Sequence, residues 1–472
     1  MEIKNEQLEI LEGEVAKIHP ALDFTDKFAI VTVPLLSGLK DENDKLIDSK
    51  KVYWCVTSKG ELFLLNDSEF FKRNFYKTTN CFIEDSRWQY KSIKEWVGGD
   101  ILIPHPKRIY REIKTKLEYF LDYVDPRQYT FIALWIYGTY FHQIFDAYPI
   151  VFLNGITGSG KSKTIELAHL LAFNAIFSAN ISDASIYRII TSARPTLLLD
   201  ENEKISRSEE GYSQINLLLA SFKRNGAKVI RCEKGGKSNE KFFPTSFELF
   251  SPKIIANIRG IDIEALKNRC VTFIMSPSQT EKANRWPVAE SGFWQTLRNM
   301  AYLSLMAHWE DIKILKRQVL KEDFGLKGYY FMMWHPIFTM AKLIGEDVLK
   351  EMVDFAKEKT EEHKAEIEES YDRKLLLTIY EMFQDGSFAV REIHGKQFIP
   401  TSAIYYKFLE KIGFTPEDRP EWLTTKVVGK MIRPLNIGEP KQENIQNRPT
   451  RGYWIAKERL SEMVTRFGIA IK

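Results

Sequence analysis

Cysteine is scarce and scattered in this chain: Cys55, Cys81, Cys232 and Cys270 stand far apart and form no CxxC pair. Neither a disulfide framework nor a zinc knuckle has the spacing it needs, so a reducing, cytoplasmic compartment is expected. A long apolar run is missing too. The opening MEIKNEQLEILEGE is acidic and lacks the apolar core of a signal peptide. The most membrane-like stretch, Tyr129 to Phe145, is slightly short for a span and contains Gly138, His142 and Gln143, which makes a buried helix the expectation. Internal repeats and low-complexity tracts do not stand out, which argues against solenoid architectures. An excess of one charge is also lacking overall, with 67 Lys and Arg against 63 Asp and Glu. Divided along the chain, however, residues 372–472 hold 17 basic against 12 acidic residues, while residues 1–371 hold 50 against 51. The small excess is C-terminal and hints at a polyanionic partner.

Apolar residues make up 44% of the 472 positions, enough to bury real cores, and the length calls for several domains of roughly 100 to 200 residues. Residues 1–103 read as β-rich, with FAIVTVPLL followed by VYWCVTSKGELFLL, whose alternation around Ser58, Lys59 and Gly60 predicts a hairpin. This region has no clustered acidic and histidine residues of a primase-like kind, and primer synthesis is not expected. Pro104 and Pro106 mark a boundary, and residues 104–147 form a helical run-in, with Asp125-Pro126 as a helix start. Short apolar strands alternate with helical stretches over residues 148–284, the pattern of an α/β sheet flanked by helices. Residues 285–370 read as a helical lid and residues 371–472 as a small mixed domain.

Within PIVFLNGITGSGKSKTIELAHLLA, the residues Gly155, Ile156, Thr157, Gly158, Ser159, Gly160, Lys161 and Ser162 match GxxxxGK[ST], placed between an apolar strand and a helix. Glycines let backbone N–H groups wrap phosphates, and the following helix aims its positive end at them. Lys161 would reach the β and γ phosphates of ATP while the Ser162 hydroxyl coordinates Mg²⁺. Further on, RPTLLLDENEK places Asp200 and Glu201 at the end of a buried strand. Asp200 would hold the metal through water, and Glu201 would polarise the attacking water.

After the acidic pair come a helix, two strand-like runs around a Lys-Gly-Gly-Lys tip, the strand PKIIANI, and LKNRCVTFIM. This order resembles AAA+ ATPases of the branch that inserts a β-hairpin before the sensor-1 strand, which includes minichromosome-maintenance-like and superfamily 3-like replicative helicases of archaeal plasmids and viruses. The run-in ALWIYGTYFHQIFDAYPIVFLNG and the linker SDASIYRIITSARPTLLLDE are similar to theirs, and the likeness covers roughly residues 107–345. It implies an AAA+ P-loop sheet flanked by helices, with a β-rich N-terminal domain and a winged-helix-like C-terminal domain. It makes Asn257 the sensor-1 side chain and Arg269 an arginine finger given to a neighbouring subunit, at the edge of its own domain. A cationic fork at a transferring phosphoryl group stabilises its transition state whatever the family. Asn180 stands where such proteins place a residue that restrains the glutamate, with an ordinary turn asparagine as the equal alternative. The sensor-2 arginine is missing before WHPI: Tyr329 stands there, Lys327 is the nearest cation and Arg285 is another candidate.

Seven basic residues lie between Lys223 and Lys241, namely Lys223, Arg224, Lys228, Arg231, Lys234, Lys237 and Lys241, against Glu233 and Glu240. Beside an ATP site, a hairpin this basic fits phosphates of single-stranded DNA in a ring pore. In the last domain, a helix at 374–383, the strand-like FAV, and helices at 402–412 and 424–433, the last with Thr424 or Thr425 as its cap and Gly438 after its exit, followed by a wing, read as a winged helix. Lys426, Lys430 and Arg433 on the last helix, with Lys441, Arg448 and Arg451 in the wing, would dock duplex DNA. The expectation is a homo-hexameric, Mg-ATP-driven DNA helicase or translocase acting in replication. The alternatives are an AAA+ initiator or loader without unwinding, and a protein remodeller or nucleotide switch.

Overall fold

The computed structural model describes residues 17–66, 70, 76–77, 81, 83–178, 181–201, 208–226, 228–234, 242–261, 263–368, 371–416, 423–445 and 447–469. Its contacts divide the chain into two units, Met1–Lys357 and Glu358–Lys472. The first unit is mixed α/β and opens with β1 (Lys17–Ile18), β2 (Leu22–Phe24), β3 (Ala29–Lys40), β4 (Leu46–Thr57), β5 (Leu62–Leu64) and β6 (Tyr76–Lys77). Strands β2 to β5 form an antiparallel sheet in sequence order, and β1 pairs with β6. The expected hairpin forms at β4–β5, where Thr57 and Glu61 bracket Gly60 at φ +76. The longer β3–β4 hairpin has its inner half buried and Leu36, Leu39, Leu46 and Ile47 exposed at its outer end. A helix that β-rich patterning had not flagged, α1 (Tyr90–Gly98), follows this sheet.

The run-in is α2 (Pro106–Phe120) and α3 (Arg127–Gly138), the latter continued by a 3-10 turn at Thr139–Ile144. The Asp125 carboxylate accepts the Arg127 N–H at 2.9 Å, the helix-start contact that Asp-Pro predicts. All eleven positions of α3 after Arg127 and all six of the 3-10 turn are buried, so their apolar character serves a protein core. Among the described residues no helix is long and apolar enough to cross a membrane.

The central layer comprises β7 (Ile150–Gly155), α4 (Lys161–Leu171), β8 (Ile176–Ser178), α5 (Asp183–Ala193), β9 (Leu197–Leu199), α6 (Ser208–Ala220), β10 (Lys228–Lys234), β11 (Phe242–Glu248), β12 (Lys253–Asn257), α7 (Glu264–Lys267) and β13 (Cys270–Met275). Among the described residues, five of these strands pair in parallel in the order β13-β7-β12-β9-β8, while β10 and β11 form a separate antiparallel hairpin. Strands covered on both faces must be apolar throughout, which is why β9 is Leu-Leu-Leu and β12 is buried along its whole length.

Helices α8 (Gly292–Val319), α9 (Gly328–Ile344) and α10 (Glu346–Glu368) follow, and the division between units falls within α10. In α8, Trp294, Leu297, Ala301, Leu305, Trp309 and Ile312 recur at helical spacing and make one buried stripe. Helix α9 holds Pro336 in its interior, which removes the N–H that Met332 O would accept. His335 restores the bond, with Nδ1 3.0 Å from Met332 O. The His-Pro pair of WHPI is thus a structural repair inside a buried helix.

The second unit runs α11 (Tyr371–Asp385), β14 (Arg391–Ile393), β15 (Lys396–Pro400), α12 (Thr401–Ile412), α13 (Thr425–Ile432), β16 (Gly438–Ile445), β17 (Arg448–Ala456) and α14 (Lys457–Arg466). Its sheet order is β14-β15-β17-β16. Thr424 caps α13 through the Val427 N–H at 3.4 Å, as expected. The left-handed exit residue is Asn436 at φ +48, not Gly438. Gly438 is needed for closeness, since a Cβ there would lie 2.4 Å from Trp454 O on β17. The FAV run at 388–390 forms no strand, and α14 was not foreseen.

One buried histidine sets a pH dependence. His142 is fully buried, with Nδ1 2.8 Å from Thr139 O and Nε2 2.9 Å from the Gln143 amide nitrogen, so Nδ1 bears the proton and Nε2 accepts. Burial, aided by the nearby Arg194, Lys253 and Arg224, pulls its pKa down to about 3. The unfolded chain therefore takes up this proton first, and stability falls as pH drops from about 6.5 toward about 3. The loss from this group alone is expected to reach about 2 kcal/mol by about pH 5. Urea midpoints of the native protein and His142→Gln, compared between neutral and acidic buffer, should show a shallower pH slope in the variant.

Candidate functional site

A cavity of about 400 Å³ opens at the C-terminal ends of the parallel strands. Its floor is the loop between β7 and α4, and its walls include Asp200, Glu201, Asn257, Met275, Asp122, Lys282 and Trp286. The sequence motif therefore lies where an open α/β sheet binds ligands. Gly155 ends β7 directly against β13, and a Cβ on it would meet Met275 O at 2.3 Å. Gly160 turns the chain into α4 at φ +89, a conformation only glycine adopts without strain. The first N–H groups of α4 have no acceptor within the helix and its dipole adds positive potential, so this end attracts an anion.

Lys161 is largely buried beneath the loop, with Nζ donating to Gly155 O at 2.6 Å and Ile156 O at 2.9 Å. Ile156, Thr157, Gly158 and Ser162 are exposed on the same loop, and Ser159 is buried under it. On the facing strand end Asp200 is buried, and its Oδ1 accepts the Glu201 N–H at 3.0 Å. Glu201 is exposed and sits at φ +50, an unusual left-handed position for a non-glycine residue and a local strain that clusters at functional sites. A hydroxyl from Ser162 and a carboxylate from Asp200 line one cavity, and these oxygen donors would suit Mg²⁺ bound beside a phosphate.

Asn257 closes β12 fully buried, with its side chain bridging its own turn: Nδ2 donates to Gly260 O and Oδ1 accepts from Gly260 N, both at 2.9 Å. Arg269 precedes β13 at the end opposite the cavity, about 20 Å from Met275 at the strand rise. Its guanidinium donates to Ala265 O, and its Nε is buried without a hydrogen-bond partner. Tyr329 packs against Phe222, with ring centroids 5.6 Å apart, and neither it nor Lys327 lines the cavity. Arg285 does not line it either, and stacks on Tyr119 at 4.5 Å.

Two cavity groups escaped sequence reasoning. Trp286 is 63% exposed at the cavity wall with Lys163 Nζ 4.7 Å above its ring. Lys163 in turn donates to Lys282 O at 2.9 Å and Ala283 O at 3.0 Å, tying α4 to this wall. Asp122 accepts from Ser278 Oγ at 2.7 Å and Thr280 Oγ1 at 3.2 Å. No spacing rule links residues so far apart in the chain.

Of the basic segment, Lys223 and Arg224 precede the hairpin, and Arg224 bonds Gln143 O on the run-in. Lys228, Arg231 and Cys232 are exposed on β10, with Arg231 5.9 Å from the Tyr187 ring. Lys234 ends β10, whereas Lys237, Lys241 and Asn180 lie outside the described residues. In the second unit Lys426, Lys430, Arg433, Lys441, Arg448 and Arg451 are all exposed, and Lys441 lies 3.8 Å from Glu443.

No protein-family model and no curated protein matches the chain. Solved structures do resemble it. "SCCmec type IV Cch - active helicase" is 12% identical, with a TM-score of 0.40 over 88% of this chain and 78% of that one. The apo C-terminal region of NrS-1 is 13% identical, with a TM-score of 0.33 over 86% and 94%. Cdc6p from Pyrobaculum aerophilum is 10% identical, with a TM-score of 0.18 over 77% and 95%. Values this low assign no activity.

Two variants should separate the roles of the loop. Lys161→Ala removes the loop's buried cation and its bonds to Gly155 O and Ile156 O while leaving the strand pairing of β7 and β13 in place, and is expected to abolish binding of a fluorescent ATP analogue. Gly155→Ala forces β13 away from β7, and should lose binding together with about 1–3 kcal/mol of stability.

Proposed function

We propose that the chain is a ring-forming, Mg-ATP-driven DNA helicase or translocase of the presensor-1 β-hairpin branch of AAA+ ATPases, acting in replication of a mobile element, virus or archaeal-type genome. One observation carries this reading. Residues 157–162 of the loop, the Asp200–Glu201 pair and Asn257 line a single cavity, and the β10–β11 hairpin is inserted in the chain between the acidic strand and the Asn257 strand. That insertion is the feature on which the family resemblance rests.

Lys161 binds the β and γ phosphates, and Ser162 and Asp200 would hold Mg²⁺, which would supply charge neutralisation at the transferring phosphoryl group. Glu201 polarises the attacking water from the exposed side of the cavity. Asn257 releases its own turn to read the γ-phosphate. The exposed Arg231, with Lys234, Lys237 and Lys241, lines a ring pore around single-stranded DNA, each contact releasing counterions. The helix-hairpin order and exposed cations of the second unit support a winged helix whose Lys426, Lys430, Arg433, Arg448 and Arg451 dock duplex DNA.

The decisive assay is ATP turnover with and without single-stranded DNA, paired with unwinding of a forked duplex. Both stimulation and unwinding are expected, and Glu201→Gln should bind ATP normally while turnover drops by about 10² to 10⁴. Stimulation without unwinding would replace the helicase with an initiator or loader, and stimulation by protein alone would indicate a remodeller.

Arg269 lies the length of β13 away from the cavity of its own subunit, which supports the reading that a neighbour presents it. Arg269→Ala is expected to bind ATP yet turn it over about 10³ to 10⁵ times more slowly. Mixing it with inactive Lys161→Ala subunits should restore part of the activity, because some interfaces then pair an intact loop with an intact arginine. Mixed rings, verified by native mass spectrometry, that stay as inactive as either parent would remove the shared site.

A further inference from the structure

Three parts of the first unit meet at the C-terminal end of α5. Ala193 is buried in one apolar cluster with Ile18, Ala21, Ile30 and Cys55 of the N-terminal sheet. His19 donates from Nε2 to Thr191 O at 2.5 Å, since its Nδ1 accepts the Ala21 N–H at 3.2 Å. The next residue, Arg194, adopts φ +44 and is buried. Its Nη1 donates to Leu22 O at 2.6 Å and lies 3.5 Å from Asp23 Oδ2, while its Nη2 pairs with Glu248 Oε2 at 2.9 Å. Glu248 is the root of the hairpin, and its backbone carbonyl accepts from Thr191 Oγ1 at 3.0 Å. Tyr187 on the same helix packs on Phe247, with ring centroids 4.7 Å apart. From Arg194 the chain runs directly through β9 into Asp200.

We propose that Arg194 is a positioning residue that locks the root of the β10–β11 hairpin to the N-terminal sheet and to the strand bearing Asp200 and Glu201. Displacement of the hairpin by nucleic acid then reaches the acidic pair. The inference rests on the reading of the hairpin as a nucleic-acid grip and adds the path by which grip and turnover communicate. The physical warrant is the guanidinium itself. Its planar fork fixes the angle between Nη1 and Nη2, so the two partners cannot move independently. Arg194 is shielded from solvent, so its charge is less screened than an exposed one. The left-handed φ holds the fork at the point where helix becomes strand, a costly conformation that persists only when its surroundings enforce it.

Glu248→Gln tests this in the full chain, because it keeps an acceptor of the same shape, removes the charge, and sits on a half-exposed side chain. Arg194→Lys keeps the charge and loses the fork. In both variants basal ATP turnover and oligo-dT affinity are expected to stay near native values, while stimulation of turnover by oligo-dT falls by about fivefold or more. Hydrogen exchange should rise together at residues 242–248 and 17–24, with residues 161–171 unchanged. Retained stimulation, a rise in exchange confined to the hairpin, or an equal drop in basal and stimulated turnover would each overturn the assignment. If the native protein is not stimulated by oligo-dT, the nucleic-acid reading fails by itself, and the paired exchange rise still decides whether Arg194 couples hairpin and sheet.

Discussion

Helix α4 offers a positive end to the cavity and a negative end to two arginines, and neighbouring parts of the first unit are arranged around that polarity. Its N-terminus opens on the cavity, where the positive end of the helix favours an anion. Its C-terminus is met by two guanidiniums: Arg87 donates to His169 O, and Arg298 donates to Leu170 O at 2.7 Å. Two half-buried arginines side by side would ordinarily repel, but both face the negative end of a helix and its last carbonyls. Arg87 comes from the segment after the N-terminal sheet and Arg298 from α8, so the same bonds that cap the helix staple both regions to it. Trp88, next to Arg87, stacks on Tyr302 of α8 at 5.2 Å and completes the joint with apolar area.

The helical layer behind the sheet uses apolar sequence in a similar way. The stretch that most resembled a membrane segment, α3 and its 3-10 continuation, is buried because it packs against α2, α9 and the sheet. Its aromatic residues find polar partners at their tips: Trp135 donates to Pro149 O at 2.8 Å, and Tyr140 donates to Leu171 O at 3.0 Å. Satisfying those groups internally is what allows so apolar a helix to lie within a protein core. The His335 repair of the Pro336 gap in α9 follows the same rule.

What could be read from the chain in advance was whatever is local. The loop 155–162 is contiguous, and the carboxylates terminate a strand whose three leucines announce burial on both faces, so floor and facing strand end were legible. The Thr424 cap and the Asp125-Pro126 start were legible for the same reason. The cavity wall formed by Asp122 and Trp286 was not, because fold topology alone brings α2 and the loop before α8 beside α4. Backbone conformation was also hidden: Arg194, Glu201 and Asn436 take left-handed angles that a glycine would advertise and these residues do not. Gly438 illustrates the converse, a glycine demanded by the approach of β17 and not by its own φ.

The four cysteines, uninformative as a pattern, become informative once placed. Cys55, Cys81 and Cys270 are buried, and burial raises the thiols of Cys81 and Cys270 well above their ordinary range, while Cys232 is exposed on β10. A thiolate-seeking reagent therefore meets one accessible partner among them, on the flank of the basic hairpin. The chain thus comes with a built-in attachment point for a fluorophore or spin label, placed on β10 itself, without any residue having to be engineered.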